Sequence, residues 1–402
     1  MVPKGWQKYS VGELCTSIVP GRNKPKVFDG DIPWVTTPEI NGRYIPSKLQ
    51  VNYVSTTALS DAGGKIVPQG AVVMAAVGEL GLIAITSEPV VLNQQLHAFV
   101  CSKLVNNEYL AYWLTTQKPY MESIASKTTI PYMNKTNCES IPVLLPPLAE
   151  QFKIAQILLT WDKAISVTEK LLANSQQQKK ALMQQLLSGK KRLLDENGVM
   201  FSGEWEVVRL KQLIHEEKKR NRDNHIQRVL SVTNHSGFVL PEEQFSKRVA
   251  SEDVSTYKIV KKNQYGYNPS RLNVGSFARL DNYDEGVLSP MYVVFSINHE
   301  RLNSDYFLNW MSSNEAKQRI AGSTQGSVRD SVGFDALCSF SFSLPTLMEQ
   351  QKIAAVLSAA DAEMSMLEKK LACLKEEKKA LMQQLLTGKR RVKVESEETV
   401  SA

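Results

Sequence analysis

A segment of 48 residues occurs twice in this chain, and this repeat limits the folds open to it. Residues 145–192 align without a gap to residues 344–391, at an offset of 199, and 27 of the 48 aligned residues are identical. Each copy follows a longer block whose sequence has diverged. Self-similarity of this length predicts two different heads on one repeated frame.

Weaker matches extend the repeat into the longer blocks. Trp6 matches Trp205 at offset 199, Gly42 matches Gly237 at offset 195, and the offset is again 199 at Leu145. Offsets that drift and return are expected of two diverged copies of one fold, because surface loops change length more freely than core elements. The predicted domains are a first head over 1–144, a repeated helix over 145–192, a second head over 193–343, a second repeated helix over 344–391 and a flexible acidic tail over 392–402.

The composition is that of a globular protein, with 43% apolar and 22% charged residues. No apolar run reaches the length of a membrane span and no apolar stretch opens the chain, so we expect a cytoplasmic protein without a membrane partner. The five cysteines form no CxxC pair and are expected to be reduced structural thiols. A net charge of +7 is compatible with a polyanionic partner but does not prove one.

The repeated segment is predicted to be a long helix. No Pro or Gly occurs between Glu150 and Leu187, Pro147 precedes this stretch and Gly189 follows it. Apolar residues recur at alternating spacings of four and three, which is the pattern of a coiled-coil seam. We expect the two helices to pair with each other, antiparallel, about an approximate twofold axis. The residues expected at their interface are Ile154, Leu158, Trp161, Ile165, Leu172, Leu182 and Leu186 in the first copy, and Ile353, Leu357, Met364, Leu367, Leu371, Leu374, Leu381 and Leu385 in the second.

An alternative is that each helix packs only on its own head. Lys179 and Lys378 favour this alternative, since both fall at seam positions where a coiled coil prefers apolar residues. The stretch ALMQQLL, residues 181–187, is identical in the other copy, including residues off the seam that helix pairing does not explain. Two identical docking surfaces for a third protein would explain them. The candidate docking residues are Met183, Gln184, Gln185, Met382, Gln383 and Gln384.

Each head is predicted to be a mixed α/β domain. Short runs rich in β-branched and aromatic residues predict strands within 32–37, 70–77, 81–86 and 96–102 of the first head, and within 228–233, 275–280 and 291–297 of the second. A helix is expected near 107–116 and another near 304–313. The Tyr and Trp residues that these helices share are expected in the cores.

Polar loop segments of the heads carry side chains suited to DNA. Lys and Arg neutralise phosphates, Ser and Thr bond phosphate oxygens, and Arg, Asn and Gln can read base edges. Singly, each cluster is more typical of solvated surface than of a DNA contact, and the occurrence of such clusters in both heads strengthens the case for DNA. The candidate DNA-binding residues are Arg22, Lys24, Lys26, Gln94, Gln95, Lys127, Thr128, Thr129, Asn134 and Lys135 in the first head, and Arg220, Arg222, Asn268, Arg271, Arg279, Ser323, Thr324, Gln325, Ser327 and Arg329 in the second.

No catalytic motif is found in the sequence. The phosphate-binding loop, the glycine-rich dinucleotide fingerprint, the HExxH metal spacing and the GxSxG nucleophile elbow do not occur. We therefore expect a recognition protein without catalytic residues, metal or cofactor of its own.

The repeated segment resembles that of the DNA specificity subunits of type I restriction-modification systems. The resemblance rests on LPPLAEQFKIAQIL through KKALMQQLLSGKKR in the first copy and LPTLMEQQKIAAVL through KKALMQQLLTGKRR in the second, each behind a variable domain. It implies that each head is a target recognition domain reading one half of a bipartite, asymmetric double-stranded DNA site, and that the paired helices set the spacer. It also implies docking of two methyltransferase subunits and, in the full complex, two restriction and translocase subunits, with S-adenosylmethionine, ATP and Mg²⁺ bound by those partners.

The resemblance does not fix the spacer length, and one alternative function fits the same sequence. Some members of that family carry short tandem TAEL repeats in the central helix, which this chain lacks, so the repeat number does not give the spacer length. The alternative function is a non-catalytic coiled-coil assembly scaffold whose heads bind proteins. Such a scaffold would leave no footprint on DNA.

Overall fold

The computed structural model describes residues 2–21, 23–46, 51–126, 129–234, 236–241, 253–324 and 331–394. The chain is mixed α/β, as predicted, and divides into two compact units. Unit 1 consists of Met1–Thr168 with Lys370–Ala402, and unit 2 of Glu169–Lys369. Each unit therefore contains one head and half of each repeated helix.

The first head consists of two main sheets and short helices. The strand order is β2-β10-β7-β8-β4 in one sheet and β5-β3-β9-β6 in the other, and β1 pairs with β11. Its strands are β1 (Gln7–Ser10), β2 (Cys15–Ile18), β3 (Ile32–Val35), β4 (Tyr44–Ile45), β5 (Tyr53–Val54), β6 (Ile66–Val67), β7 (Val72–Ala75), β8 (Ile83–Thr86), β9 (Val90–Leu92), β10 (Leu96–Cys101) and β11 (Pro142–Leu145). Its helices are α1 (Val11–Leu14), α2 (Thr56–Asp61), α3 (Asn107–Thr116), α4 (Lys118–Ile124) and α5 (Lys135–Glu139), and the first repeated helix, α6 (Leu148–Leu186), follows.

The second head has the strand order β13-β20-β17-β18 in its larger sheet, and β12–β21, β14–β15 and β16–β19 as pairs. Its strands are β12 (Glu206–Arg209), β13 (Ile214–Glu216), β14 (Ser231–Thr233), β15 (Gly237–Val239), β16 (Lys258–Lys261), β17 (Tyr265–Tyr267), β18 (Phe277–Arg279), β19 (Glu285–Leu288), β20 (Val293–Ile297) and β21 (Ser341–Leu344). Its helices are α7 (Ser304–Met311), α8 (Asn314–Thr324) and α9 (Phe334–Ser339), and the second repeated helix is α10 (Leu347–Leu386).

The two heads share the topology of their main sheet. The order β2-β10-β7-β8 of the first head has its counterpart in β13-β20-β17-β18 of the second, and β1–β11 corresponds to β12–β21. The predicted strand segments all contain strands, and helices occur where they were expected, at α3 and α7. The prediction of two diverged copies of one fold is confirmed.

The aromatic residues shared by α3 and α7 lie in the cores of their heads. Tyr109 and Tyr306 have no exposed surface, and Trp113 and Trp310 are also buried. Each helix is started by an asparagine whose side chain accepts a hydrogen bond from the backbone N–H of the buried tyrosine. The expectation that these aromatics are core residues is confirmed.

In each unit, the halves of α6 and α10 pack against each other in antiparallel directions. Ile154 and Leu158, near the start of α6, share a buried cluster with Leu385 at the end of α10. Unit 2 repeats the arrangement with the start of α10 and the end of α6. Every residue predicted at the interface is buried or half-buried. No helix in the described part of the chain is both long and apolar enough to cross a membrane.

The helix ends also join the cores of the heads. Ile154 and Leu158 belong to the same buried cluster as Tyr109 and Leu110 of the first head, and the start of α10 does the same in the second. The alternative prediction, that each helix packs only on its own head, is thus correct in part. The helix ends pack on the heads, and they also pair with each other.

The two seam lysines form ion pairs across the helix interface. Lys378 of α10 pairs with Asp162 of α6 in unit 1, and Lys179 of α6 pairs with Asp361 of α10 in unit 2. These are equivalent pairs, because Asp162 and Asp361 are related by the same offset of 199 as the lysines. A polar pair inside an apolar seam favours one register and one direction over the others.

We predict that Lys179→Glu lowers the free energy of unfolding by about 1 kcal/mol, because it places two like charges together at a half-exposed seam position. Adding Asp361→Lys should restore most of that loss. Denaturant unfolding measures both values, and Lys180→Glu on the exposed side of α6 serves as the control. A double variant no more stable than the single one would contradict a paired seam.

Candidate nucleic-acid interface and head joints

A buried glutamate fastens the first head to both repeated helices. Glu150, in the first turn of α6, is only 2% exposed. Its carboxylate accepts a hydrogen bond from Trp6 Nε1 at 3.1 Å, and Nε and Nη2 of Arg391 donate to its two oxygens at 2.7 and 2.8 Å. Arg391 follows the end of α10 and also donates to the backbone oxygen of Lys4 at 2.9 Å. The head, the start of α6 and the end of α10 therefore meet at one carboxylate.

The second head is fastened in the same way. Glu349, in the first turn of α10, is 1% exposed and accepts a hydrogen bond from Trp205 Nε1 at 3.0 Å. Nε and Nη2 of Arg192, which follows the end of α6, donate to it at 2.6 and 2.8 Å. Nη2 of Arg192 also donates to the backbone oxygen of Gly203 at 3.0 Å. Bidentate charge-assisted bonds of this kind are among the strongest in proteins.

The neighbouring glutamine makes a second attachment in each unit. Gln151 accepts a hydrogen bond from the backbone N–H of Asn106, which starts α3, and donates to the backbone oxygen of Leu104. Gln350 makes the equivalent bonds with Asn303 and Arg301, next to α7. Both glutamines are fully buried. We call Trp6, Glu150, Gln151 and Arg391 the first head joint, and Trp205, Glu349, Gln350 and Arg192 the second.

The residues of these joints recur in both copies of the repeat, but the recurrence alone did not predict that they form a joint. The tryptophans, the Glu-Gln pair and the final arginine all recur at offset 199. Because recent duplication also leaves residues unchanged, recurrence did not distinguish a joint from an inherited surface. Only the burial and the shared hydrogen bonds assign these residues to one cluster.

The candidate docking residues line two equivalent grooves, one in each unit. In unit 2, Met183 and Gln184 line a groove of about 520 Å³ with Lys180 and with residues 312–315, between the end of α7 and the start of α8. In unit 1, their equivalents Met382, Gln383 and Lys379 line a groove of about 690 Å³ with Thr115 and Thr116 at the end of α3. Gln184 and Gln383 are exposed and the methionines half-buried. One wall of each groove is thus retained between the copies, whereas the wall supplied by the head differs. Gln185 and Gln384 are exposed but do not line these grooves.

Three predicted segments of the first head lie close together. The turn that follows β7 binds two of them, because Ala76 donates from its N–H to the backbone oxygen of Gln95 at 2.8 Å and accepts from the N–H of Met133 at 2.8 Å. Gln94 lines a small crevice with Asn23 and Pro25, which brings the segment of Lys24 and Lys26 to the same side.

The side chains on these segments differ in whether they already bind another residue of the protein. Lys24 and Lys26 are exposed, with the Lys24 ammonium 5.5 Å from the centre of the Phe28 ring. Gln94 and Thr129 are also exposed. Three others have a protein partner: Gln95 accepts a hydrogen bond from the Thr37 hydroxyl, Asn134 caps α5, and Lys135 lies 3.5 Å from Glu139.

The second head places candidates at the equivalent turn, after β17. Asn268 is the first residue of this turn. Arg271 lies within the turn and has an exposed side chain. The N–H of Val332 donates to the backbone oxygen of Pro269 at 3.0 Å, as Met133 does to Ala76 in the first head. Ser323, near the end of α8, donates from its hydroxyl to the backbone oxygen of Ile320. Arg220 and Arg222 are exposed on a segment that lies along β16.

Asn268 and Arg279 of the second head also have internal partners. Asn268 is buried and its side chain accepts a hydrogen bond from the N–H of Ser270. The Arg279 guanidinium donates to Asp281 at 2.6 Å and to Asp305 at 2.8 Å. Burial by itself would lower the pKa of Arg279, but the hydrogen bonds to these two carboxylates raise it above the ordinary value. Asn268 therefore holds its own turn, the Arg279 guanidinium is bound to two carboxylates, and the Arg271 side chain is exposed.

Some candidates fall outside the described residues. These are Arg22, Lys127, Thr128, Gln325, Ser327 and Arg329, and the side chain of Thr324. They are predictions from the sequence alone.

A comparison with protein families matches both halves of the chain to one model. The model is described as the type I restriction modification DNA specificity domain, and it matches residues 3–174 and residues 202–376. These two ranges cover more than half of the chain and include both head joints except their arginines, Arg192 and Arg391.

Curated relatives and solved structures agree with this match. The MjaVIII specificity subunit of Methanocaldococcus jannaschii is 25% identical over 73% of this chain and 72% of its own length. The MjaIX specificity subunit of the same organism is 26% identical over 42% of this chain, an alignment that spans only 40% of that subunit. A type I restriction-modification S subunit from M. genitalium has a TM-score of 0.59 at 12% identity, over 94% of this chain and 96% of its own. A chain from a study of complex assembly and conformational transition in the type I R-M system has a TM-score of 0.57 at 16% identity, over 97% of this chain and 100% of its own. These structures share the fold, and on the family match the chain belongs to the type I restriction modification DNA specificity family.

Proposed function

We propose that this chain is the sequence-specific DNA-binding subunit of a type I restriction-modification complex. Each head reads one half of a bipartite DNA site, and the paired helices carry the heads and dock the catalytic partners. The chain itself supplies recognition, whereas methyl transfer and cleavage belong to the partner subunits. The observation that carries this proposal is a pair of heads with the same main-sheet topology and different polar loops, each fastened to the helices by an equivalent joint.

The placement of the polar loops supports two separate readers. In both heads the candidate residues gather at the turn after a central strand, β7 or β17, where a later loop returns and bonds to the turn. The two heads carry different exposed polar residues near this turn, Gln94 in the first and Arg271 in the second, which suits half-sites of different sequence. Lys24, Lys26, Arg220 and Arg222 are then available to phosphates at the corresponding segments.

The two grooves support the docking of two copies of one partner. Each groove has the same wall of Lys, Met and Gln from a repeated helix, so one partner surface can fit both. In the proposed complex this partner is the methyltransferase subunit, which brings S-adenosylmethionine. Two restriction and translocase subunits, which use ATP and Mg²⁺, complete the assembly.

We predict that Gln184→Arg and Gln383→Arg each remove one methyltransferase subunit from the complex, and that the double variant binds none. The new side chain adds bulk and positive charge beside Lys180 or Lys379, while exposed substitutions of this kind leave the fold intact. Native mass spectrometry of the co-expressed complex counts the bound subunits. Gln177→Arg, exposed on α6 away from the groove, is the control. Full occupancy in the double variant would exclude the grooves as docking sites.

The proposed DNA role is tested by sequencing methylated bases in cells that carry this chain with its methyltransferase. We expect one bipartite motif with a fixed gap, and we expect replacement of residues 1–144 by another head to change only one half of that motif. Purified complex should bind duplexes of that sequence, with an affinity that falls steeply as salt rises, because phosphate contacts release counterions.

The rival function, a scaffold whose heads bind proteins, predicts a different result. It gives no bipartite motif and no salt-dependent retention of duplex DNA. A head replacement that altered both halves of the motif would also contradict the proposal, because it would mean that the heads do not read independently.

A further inference from the structure

The head joints hold each head at two points that lie on different sides of the helix. Glu150 and Gln151 are consecutive residues, so their side chains leave α6 about 100° apart. Glu150 binds the opening segment of the first head through Trp6, and Gln151 binds the residues that start α3. The head cannot turn about the helix without breaking one of these attachments. Glu349 and Gln350 impose the same restraint on the second head.

Loss of the arginine from a joint should weaken this restraint and leave the apolar core of the head unchanged. Arg391 comes from the end of α10, supplies two of the three hydrogen bonds to Glu150, and lies against Trp6 with its guanidinium carbon 5.7 Å from the ring centre. The apolar contacts of Ile154 and Leu158 with the head core do not involve it. Substitution of Arg391 should therefore loosen the head on its helices while the core remains packed.

A loosened joint has a specific consequence for a protein that reads two half-sites. On B-DNA, one extra base pair between the half-sites moves the second half-site by about 3.4 Å and turns it by roughly 35° around the axis. A head held firmly at two points cannot follow that movement, whereas a head with one attachment weakened can.

We propose that Arg391 and Arg192 are specificity-determining positioning residues, which restrict the protein to one spacer length between the half-sites. They touch no base. They act by fixing the orientation of each head on its own part of the helix pair, and this inference rests on the proposed DNA-reading function. The half-site sequences are set by the polar loops and are independent of the arginines.

The test compares the spacers methylated in cells by the full chain and its variants, each expressed with the methyltransferase. Arg391→Gln should keep both half-site sequences and add sites whose gap is one base pair longer or shorter, at a level at least tenfold above that of the unaltered chain. Arg192→Gln should broaden the same gap from the other joint. Lys389→Gln, which changes an exposed residue of the same segment, should leave the gap unchanged.

A second perturbation reaches the first joint without changing its charges. Gly388 has a φ of +69°, and a methyl group added there would lie 2.5 Å from Pro3 Cγ, next to Trp6. Gly388→Ala should therefore also broaden the gap. If Arg391→Gln fails to accumulate, Arg391→Lys and Gly388→Ala decide the question, since both retain a positive charge at residue 391.

The possible results separate the two proposals. Methylation by the variants at the original gap alone, at whatever reduced level, would overturn the positioning role and leave the arginines as stabilising residues. Variants that change a half-site sequence would also overturn it. If the unaltered chain gives no bipartite motif, the DNA-reading function itself fails.

Discussion

The pairing of the two repeated helices is the interaction on which the rest of this structure depends. Each helix has an apolar stripe along one side, and a single helix with that stripe exposed to water would not be stable. Pairing buries the stripes, and it also brings Arg391 to Glu150 and Arg192 to Glu349, since each arginine follows the end of the opposite helix. A buried carboxylate without such a partner would be strongly destabilising. The heads are therefore attached correctly only where the helices are paired.

The charged residues in and around the seam explain why pairing takes one form. Each copy of the repeat carries an acid and a base at complementary places: Asp162 with Lys179 in the first, and Asp361 with Lys378 in the second. In an antiparallel arrangement the acid of one helix meets the base of the other, twice. Tyr112 adds a head contact to one of these pairs by donating to Asp162, whereas the equivalent residue of the second head, Asn309, bonds within its own helix. The two ion pairs are equivalent, whereas this contact of the head with the pair occurs only in unit 1 among the described residues.

Much of this architecture could be predicted from the sequence, because it is written in periodicity and repetition. The seam residues, the helices of the heads and the burial of Tyr109 and Trp310 follow from spacing and residue type. The role of Lys179 could not, since its partner Asp361 lies 182 residues away and off the apolar pattern. The joints were not predicted for the same reason, because their members are also far apart in the sequence and do not belong to the apolar pattern. Among the DNA candidates, residue type alone did not separate Arg271, which is exposed, from Arg279, which two carboxylates already bind.

The most direct test of helix pairing is the mass in solution of a fragment containing residues 1–192. That fragment carries an acid and a base for the seam, Asp162 and Lys179, and a glutamate and an arginine for the joint, Glu150 and Arg192. In a pair of identical copies, each acid would face the base of the other copy. Sedimentation equilibrium should give twice the fragment mass, and Lys179→Glu should shift the equilibrium towards single chains. A folded fragment that stays monomeric at all concentrations would contradict the account.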